Sequence, residues 1–220
     1  MIMKNIAIFG AGGFGREVLS IIKEINNKSC KWNFLGFFDD GRNVGDECDG
    51  YPILGGISVL NTWNSQIDVV VAIGDPRIKK EIVSNIFNPL VSFPTIIHPT
   101  VCIGDESTVE VGDGCIICAG CHITVNVKIG KFVVLNLANT VGHDVVINDF
   151  SAFMPSCNIS GEVYIGEGVY CGTGVKLINQ VEVGNYSILG AGAVIIKNIP
   201  SNCTAVGVPA KPIKFSIDFP

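Results

Sequence analysis

From Val111 to Ile195 the apolar residues keep a stride of six: Val111, Ile117, Ile123, Ile129, Leu135, Val141, Ile147, Phe153, Ile159, Ile165, Cys171, Leu177, Val183, Leu189 and Ile195. Two places before each stands a small or β-branched residue, from Val109, Cys115 and Cys121 through Asn139, Ser151 and Cys157 to Ser187 and Ala193. No helix has this period, whereas a short strand, a turn and another short strand do. Two residues two apart share one face of a strand, so each hexad sends two side chains inward. Three hexads close one triangular coil, and stacked coils bury their apolar rows on one another as solenoids do. Glycine follows the large residue at Gly112, Gly130, Gly142, Gly166, Gly172, Gly184 and Gly190, which predicts turns that need unusual backbone angles. Ile103-Gly104 resembles a first hexad, but Val111 is eight residues further on, so two residues are inserted there.

Before the ladder the pattern changes. Residues 4–9 read as a buried strand, then Gly10-Ala11-Gly12-Gly13-Phe14-Gly15 reads as a turn. Val18, Ile21, Ile22 and Ile25 follow on one helical face. Residues 34–38 form a second strand ending in Asp39-Asp40, and 41–52 a loop. Residues 67–73 form a third strand ending at Gly74, and a helix over 77–86 carries Ile78, Ile82 and Val83 as its apolar face. This is a small βαβ Rossmann-like domain over residues 1–97, followed by an all-β parallel β-helix domain over 98–220 that ends in a closing loop.

Gly10, Gly12 and Gly15 have the G-x-G-x-x-G spacing that lets a backbone approach phosphate at a helix N-terminus. Asp39 lies where a ribose-binding acid is expected. A second nucleotide-binding half is absent, which excludes an NAD oxidoreductase of the full dinucleotide fold. The carboxyl ends of the strands, at Gly12, Gly13, Phe14, Asp39, Asp40 and Gly74, are the expected pocket for a nucleotide or nucleotide sugar.

The net charge of −5 argues against nonspecific nucleic-acid binding. No apolar run is long enough to span a bilayer. The N-terminus lacks the pattern of a secretory signal, so a cytoplasmic location is expected. The chain has nine cysteines. Cys115, Cys121, Cys157 and Cys171 fall on inward ladder positions, where the thiol fills space. Cys118 is out of phase with them, so the Cys115, Cys118 and Cys121 spacing does not make a metal site, and none is expected. An odd cysteine count argues against a disulfide framework.

The hexads with Gly190-Ala191-Gly192-Ala193-Val194, the closing Gly207-Val208-Pro209-Ala210-Lys211, the glycine turn, Phe37-Phe38-Asp39-Asp40 and Thr140-Val141-Gly142-His143-Asp144 resemble the NeuD/PglD-type sugar acyltransferases. The resemblance spans nearly the whole chain and implies a left-handed coil, a homotrimer with active sites between subunits, and acetyl-CoA as co-substrate. It implies transfer to an amino sugar carried on a nucleotide, or to a hydroxyl of sialic acid or another sugar. It makes His143 the base, with Asp144 beside it, and matches Ala152, Thr173 and Ala191 to coenzyme A. Some relatives carry His where this chain has Phe14 and Ala152.

Of the three histidines, His143 lies two residues after a ladder position and so on a turn, with a carboxylate next to it that can orient the ring. His98 reads as structural and His122 as outward-facing. The expected reaction is direct acetyl transfer to the amine of a nucleotide-linked 4-amino-6-deoxy sugar, the oxyanion held by backbone N–H groups of a coil turn. O-acetylation of a sugar, and a noncatalytic nucleotide-sugar-binding trimer, are the alternatives.

Overall fold

The computed structural model describes residues 3–216. The chain forms two compact units that meet in sequence between Pro99 and Thr100.

The first unit contains β1 (Lys4–Phe9), α1 (Gly13–Ser29), β2 (Trp32–Phe38), β3 (Glu47–Cys48), β4 (Tyr51–Gly55), α2 (Ile57–Asn61), β5 (Ile67–Val71), α3 (Pro76–Ser84), β6 (Val91–Ser92) and β7 (Ile96–Ile97). Its sheet has the order β3-β4-β2-β1-β5-β6, parallel except for the β3–β4 pair. The central strands are apolar on both faces because helices cover both. Ile6, Ala7 and Ile8 are fully buried, and Val18, Leu19, Ile21 and Ile22 of α1 are closed off as well. Ala7, Phe9, Phe38, Leu60, Val69 and Val71 form a cluster against which Ile57, Val59, Ile82 and Val83 pack.

Two sequence expectations need correction here. The stretch 41–52 is not all loop, since it holds the β3 strand and the start of β4. A two-residue strand leaves no periodicity to read. The inner face of α3 is also turned from the expected one: Ile78 is 51% exposed, whereas Lys79 is buried. Residues 79, 82, 83 and 86 share one helical stripe, and Ile78 lies about 100° around the axis from Lys79.

The second unit is a parallel β-helix with three walls. One wall carries the strands at 116–117, 134–135, 152–153, 170–171 and 188–189. The next carries those at 102–103, 122–123, 140–141, 158–159, 176–177 and 194–195. The third carries 109–111, 127–129, 146–147, 164–165 and 182–183. Partners in each ladder are 18 residues apart, as in Ile117↔Leu135↔Phe153↔Cys171↔Leu189. The first coil is longer: Cys102 pairs with His122 whereas Val109 pairs with Val127, so the two inserted residues lie between Ile103 and Val109. The last coil is shorter, with Ile188 opposite Thr204.

The interior is the row read from the sequence. Cys115, Cys121, Val133, Leu135, Phe153, Cys157, Ile165 and Leu189 are all 1% exposed or less. The polar members are satisfied inside. The Asn139 side chain donates to the Asn136 carbonyl at 2.6 Å and accepts the Cys157 N–H at 3.0 Å. Ser151 Oγ donates to the Gly166 carbonyl at 2.9 Å and accepts from Val169 N–H at 3.1 Å. Cys118, expected out of phase, is buried too, as is its outward neighbour Ile116. The outer side of that wall is covered at these coils, so the alternation of the strand does not predict exposure there.

The ladder glycines serve another purpose than the one expected. Among them, Gly112, Gly130, Gly142, Gly166, Gly172, Gly184 and Gly190 do not adopt positive φ. A Cβ on Gly142 would sit 2.7 Å from the Gly161 nitrogen, and one on Gly172 2.7 Å from the Ala191 nitrogen. They are present so that one coil can pass close to the next. The left-handed backbone is taken up two residues later, at Gly114, Asn126, Phe132, Asp144, Phe150 and Glu162 among others. The C-terminal stretch is likewise more than a loop: Cys203–Gly207 and Ala210–Phe215 pair as an antiparallel hairpin.

Candidate functional site

In the first unit, β1 ends at a turn whose geometry depends on glycine. Gly10 has φ +106°, and a Cβ on Gly15 would lie 1.9 Å from the Gly10 carbonyl oxygen, so only glycine lets α1 pack this close to β1. Gly12 is the N-cap of α1 and no side chain caps it. The free N–H groups of the first turn make this end a place where an anion is favoured. Around Gly12 and Gly74 a Cβ would meet nothing within 4 Å, so both present bare backbone to open space. Phe14 is partly buried beside them.

The two aspartates hold the turn together. Asp39 Oδ2 accepts the Ala11 N–H at 2.8 Å, and its Oδ1 accepts the Gly41 N–H at 2.9 Å. Asp40 Oδ1 accepts the Ile57 N–H at 2.8 Å at the start of α2. Gly56 is needed there, because a Cβ would come 2.2 Å from that oxygen. Asp39 therefore ties the end of β2 to the glycine turn, with Gly12 next to its partner Ala11, while Asp40 faces α2. An open groove of about 530 Å³ beside Asp40 is lined by Ile57, Ile82 and Phe87.

In the second unit, His143 and Asp144 occupy a corner of the coil, after the strand Thr140–Val141. The coil fixes the backbone on both sides: Asp144 N–H donates to the Val125 carbonyl at 3.1 Å, and Glu162 N–H donates to the His143 carbonyl at 2.8 Å. Asp144 has φ +59°, a conformation Asp tolerates better than most residues. That conformation brings its Oδ2 2.8 Å from His143 Nδ1. The hydrogen bond from His143, followed by one from Asn126, holds the Asp144 carboxyl below the usual carboxylate range. An ionised carboxylate only accepts, so Nδ1 carries the hydrogen and Nε2 keeps the lone pair. The imidazole lies over Gly161, whose hypothetical Cβ would come 2.4 Å from Nε2. Just over half of the side chain is exposed, so Nε2 can meet a substrate.

The other histidines have other settings. His98 is buried, with Nε2 2.8 Å from Glu24 Oε2 of α1. His122 is exposed on the wall opposite Thr140. The inward thiols are protonated fillers: Cys157 donates to the Met154 and Gly172 carbonyls, each at 3.2 Å, and burial pushes its pKa up. Burial raises Cys121 to about 11. Among the described residues no cluster of metal-ligating side chains is found.

The three positions matched to coenzyme A are not gathered in one place. Thr173 and Ala191 stack in the corner between the first and second walls, linked by Gly192 N–H donating to the Thr173 carbonyl at 2.8 Å, and both are exposed. Ala152 points from the first wall and is fully buried. His143 lies at the next corner, between the second and third walls. Asn126 and Gly161 were missed by sequence reasoning. The signal was available in the coil length, since each lies 18 residues from a member of the His143-Asp144 pair.

Residues 5–86 match the PglD N-terminal domain family. GDP-perosamine N-acetyltransferase of Escherichia coli O157:H7 is 30% identical over 97% of this chain and 98% of its own. The acetyltransferase domain of PglB from Neisseria gonorrhoeae FA1090, solved in complex with acetyl coenzyme A, superposes with a TM-score of 0.86. It is 32% identical over 96% of this chain and 100% of that one. PerB from Caulobacter crescentus, solved with CoA and GDP-perosamine, gives a TM-score of 0.80 at 26% identity, covering 97% of this chain and 99% of that one.

Proposed function

As the chain belongs to the NeuD/PglD-type sugar acyltransferases, a family of hexapeptide-repeat enzymes, we propose that it transfers the acetyl group of acetyl-CoA to the amine of a nucleotide-linked 4-amino-6-deoxy sugar. The observation that carries the mechanism is the His143–Asp144 pair, with Nδ1 held 2.8 Å from Asp144 Oδ2 and just over half of the imidazole side chain exposed. The neutral sugar amine attacks the thioester carbonyl. Nε2 of His143 takes the proton the amine must lose and passes it to the sulfur as the carbon–sulfur bond breaks, so that CoA leaves as the thiol and the imidazole is neutral again, while Asp144 keeps the Nδ1 hydrogen in place. General-base assistance of this kind contributes roughly 10²–10⁴-fold. Backbone N–H groups of a coil turn receive the oxyanion. No covalent enzyme intermediate is required, and the buried Cys157 thiol is unsuited to form one.

In this reading Gly12, Gly13, Phe14, Asp39, Asp40 and Gly74 receive the nucleotide end of the substrate, with bare glycine backbone for phosphate. Asp39 contributes by fixing the turn as well as by its own remaining lone pairs. Thr173 and Ala191 flank coenzyme A. They stand at a different corner from His143, so the working unit is a homotrimer in which one subunit's corner completes another's site. Among the described residues no helix is long and apolar enough to cross a membrane.

The test is thiol release from acetyl-CoA with a panel of UDP-, dTDP- and GDP-linked amino sugars and their free-sugar counterparts. Activity with a nucleotide-linked amine and about 10²-fold or greater loss in His143→Ala is expected. Activity only with acceptors that lack a nucleotide would replace this reading with sugar O-acetylation. Tight nucleotide-sugar binding without any thiol release would replace it with a binding trimer.

A further inference from the structure

The corner that carries His143 continues in a column of left-handed residues, one per coil: Asn126, Asp144, Glu162 and Gln180, with φ of 55°, 59°, 59° and 65°. Their side chains pair in alternation. Asn126 Nδ2 donates to Asp144 Oδ1 at 3.1 Å, and Gln180 Nε2 donates to Glu162 Oε2 at 3.2 Å. The backbone of Asn126 is anchored as well, because its N–H donates to Thr108 Oγ1 at 3.1 Å. Asp144 is thus held from both sides, with Oδ1 on Asn126 and Oδ2 on His143.

We propose that Asn126 is a positioning residue for His143, acting through Asp144. A carboxylate on a turn rotates about its own Cβ–Cγ bond. Fixing one oxygen fixes the other, and with it the direction from which Nδ1–H is accepted. The ring then has one tautomer and one orientation, with Nε2 presented outward. Asparagine suits position 126 on three counts. It accepts a positive φ with less strain than most residues. Its amide must turn Nδ2 toward the carboxylate, since the opposite flip would set two acceptors against each other. It is also neutral. The titratable neighbours at this corner are His143 itself and Glu162, whose carboxylate accepts from Gln180 Nε2. An acid at 126 would press a second negative charge on Asp144.

The inference rests on the reading of His143 as the base, and the experiment separates the two. Asn126→Gly keeps the positive φ and removes only the amide. The full chain is compared with Asn126→Gly, Asn126→Asp and His143→Ala by steady-state kinetics and by nitrogen-15 NMR of the imidazoles. The wild type is expected to show the Nδ1–H tautomer at His143. Asn126→Gly is expected to show a mixture of tautomers and about tenfold lower kcat, the effect of one charge-assisted hydrogen bond, with KM for acetyl-CoA unchanged. In Asn126→Asp the acid limb of the kcat/KM profile is expected to move to higher pH, because added negative charge favours imidazolium. Wild-type kcat or an unchanged tautomer in Asn126→Gly, with His143→Ala inactive, overturns the positioning role and leaves the base. A fully active His143→Ala overturns both.

Discussion

Gly161 provides the most direct probe of where the imidazole works. It lies one coil beyond His143, and a Cβ there would stand 2.4 Å from Nε2, 2.5 Å from Cε1 and 2.9 Å from Cδ2. Heavy atoms in contact rest at about 3.5 Å, so Gly161→Ala must push the ring away by roughly 1 Å. The fold has little to lose, because Gly161 has no positive φ and the displaced ring is the half-exposed end of its side chain. The stability change is expected within about 0.5 kcal/mol. Catalysis has more to lose. A base misplaced by about 1 Å costs on the order of 10²-fold in rate, or roughly 2.7 kcal/mol of transition-state stabilisation. The assay is thiol release from acetyl-CoA with a saturating nucleotide-linked amino sugar, beside thermal unfolding of the same preparation. Near-normal unfolding with kcat reduced by about two orders of magnitude is expected. Wild-type kcat in a folded Gly161→Ala would refute the argument, for it would mean that the ring does its work from somewhere other than its seat on Gly161.

Two further outcomes follow from the chemistry of the coil. Cys157→Ala is expected to keep kcat within about twofold while lowering thermal stability, since the thiol fills the interior and is not a nucleophile; inactivation of this variant in a thiol-release assay would restore Cys157 to the mechanism. The Asp144 carboxyl has its pKa lowered by the bonds from His143 and Asn126. Its ionised form is therefore favoured by folding. That contribution is fully present above the ordinary carboxylate pKa near 3.8 and is lost as pH falls through the lowered value. Asp144 is accordingly expected to stay charged across pH 5–8; a carbon-13 carboxyl titration of Asp144 with a midpoint above about 5 would contradict this.

Much of the molecule can be read from one dimension because a solenoid is nearly one-dimensional. The stride of six fixes which residues face inward, since every coil repeats the same contacts with the next. It places Cys115, Cys121 and Cys157 in the interior and His143 on a turn, where the structure has them. The glycine turn and Asp39-Asp40 were legible for a related reason, as their neighbours in space are also near in sequence or set by the order of parallel strands.

Other features depend on distances that sequence does not contain. The spacing of the ladder glycines predicts turns with unusual backbone angles, but these glycines are clearances, and the clearance exists only between a residue and the next coil. Ile78 faces outward and Lys79 inward because a helical stripe can be drawn through either until a sheet lies beneath it. The pairing of Asp144 with His143 could be guessed from adjacency. Its reinforcement by Asn126, and the seat that Gly161 provides, could not, because they come from the coil before and the coil after. The sequence by itself determined the repeat and its interior, which depend on local pattern, and the chemistry came with it only through the family resemblance its motifs carry. The tertiary structure alone decided how the base is aimed, because that direction is set by side chains a full coil apart, brought within hydrogen-bonding reach by the stacking of the walls.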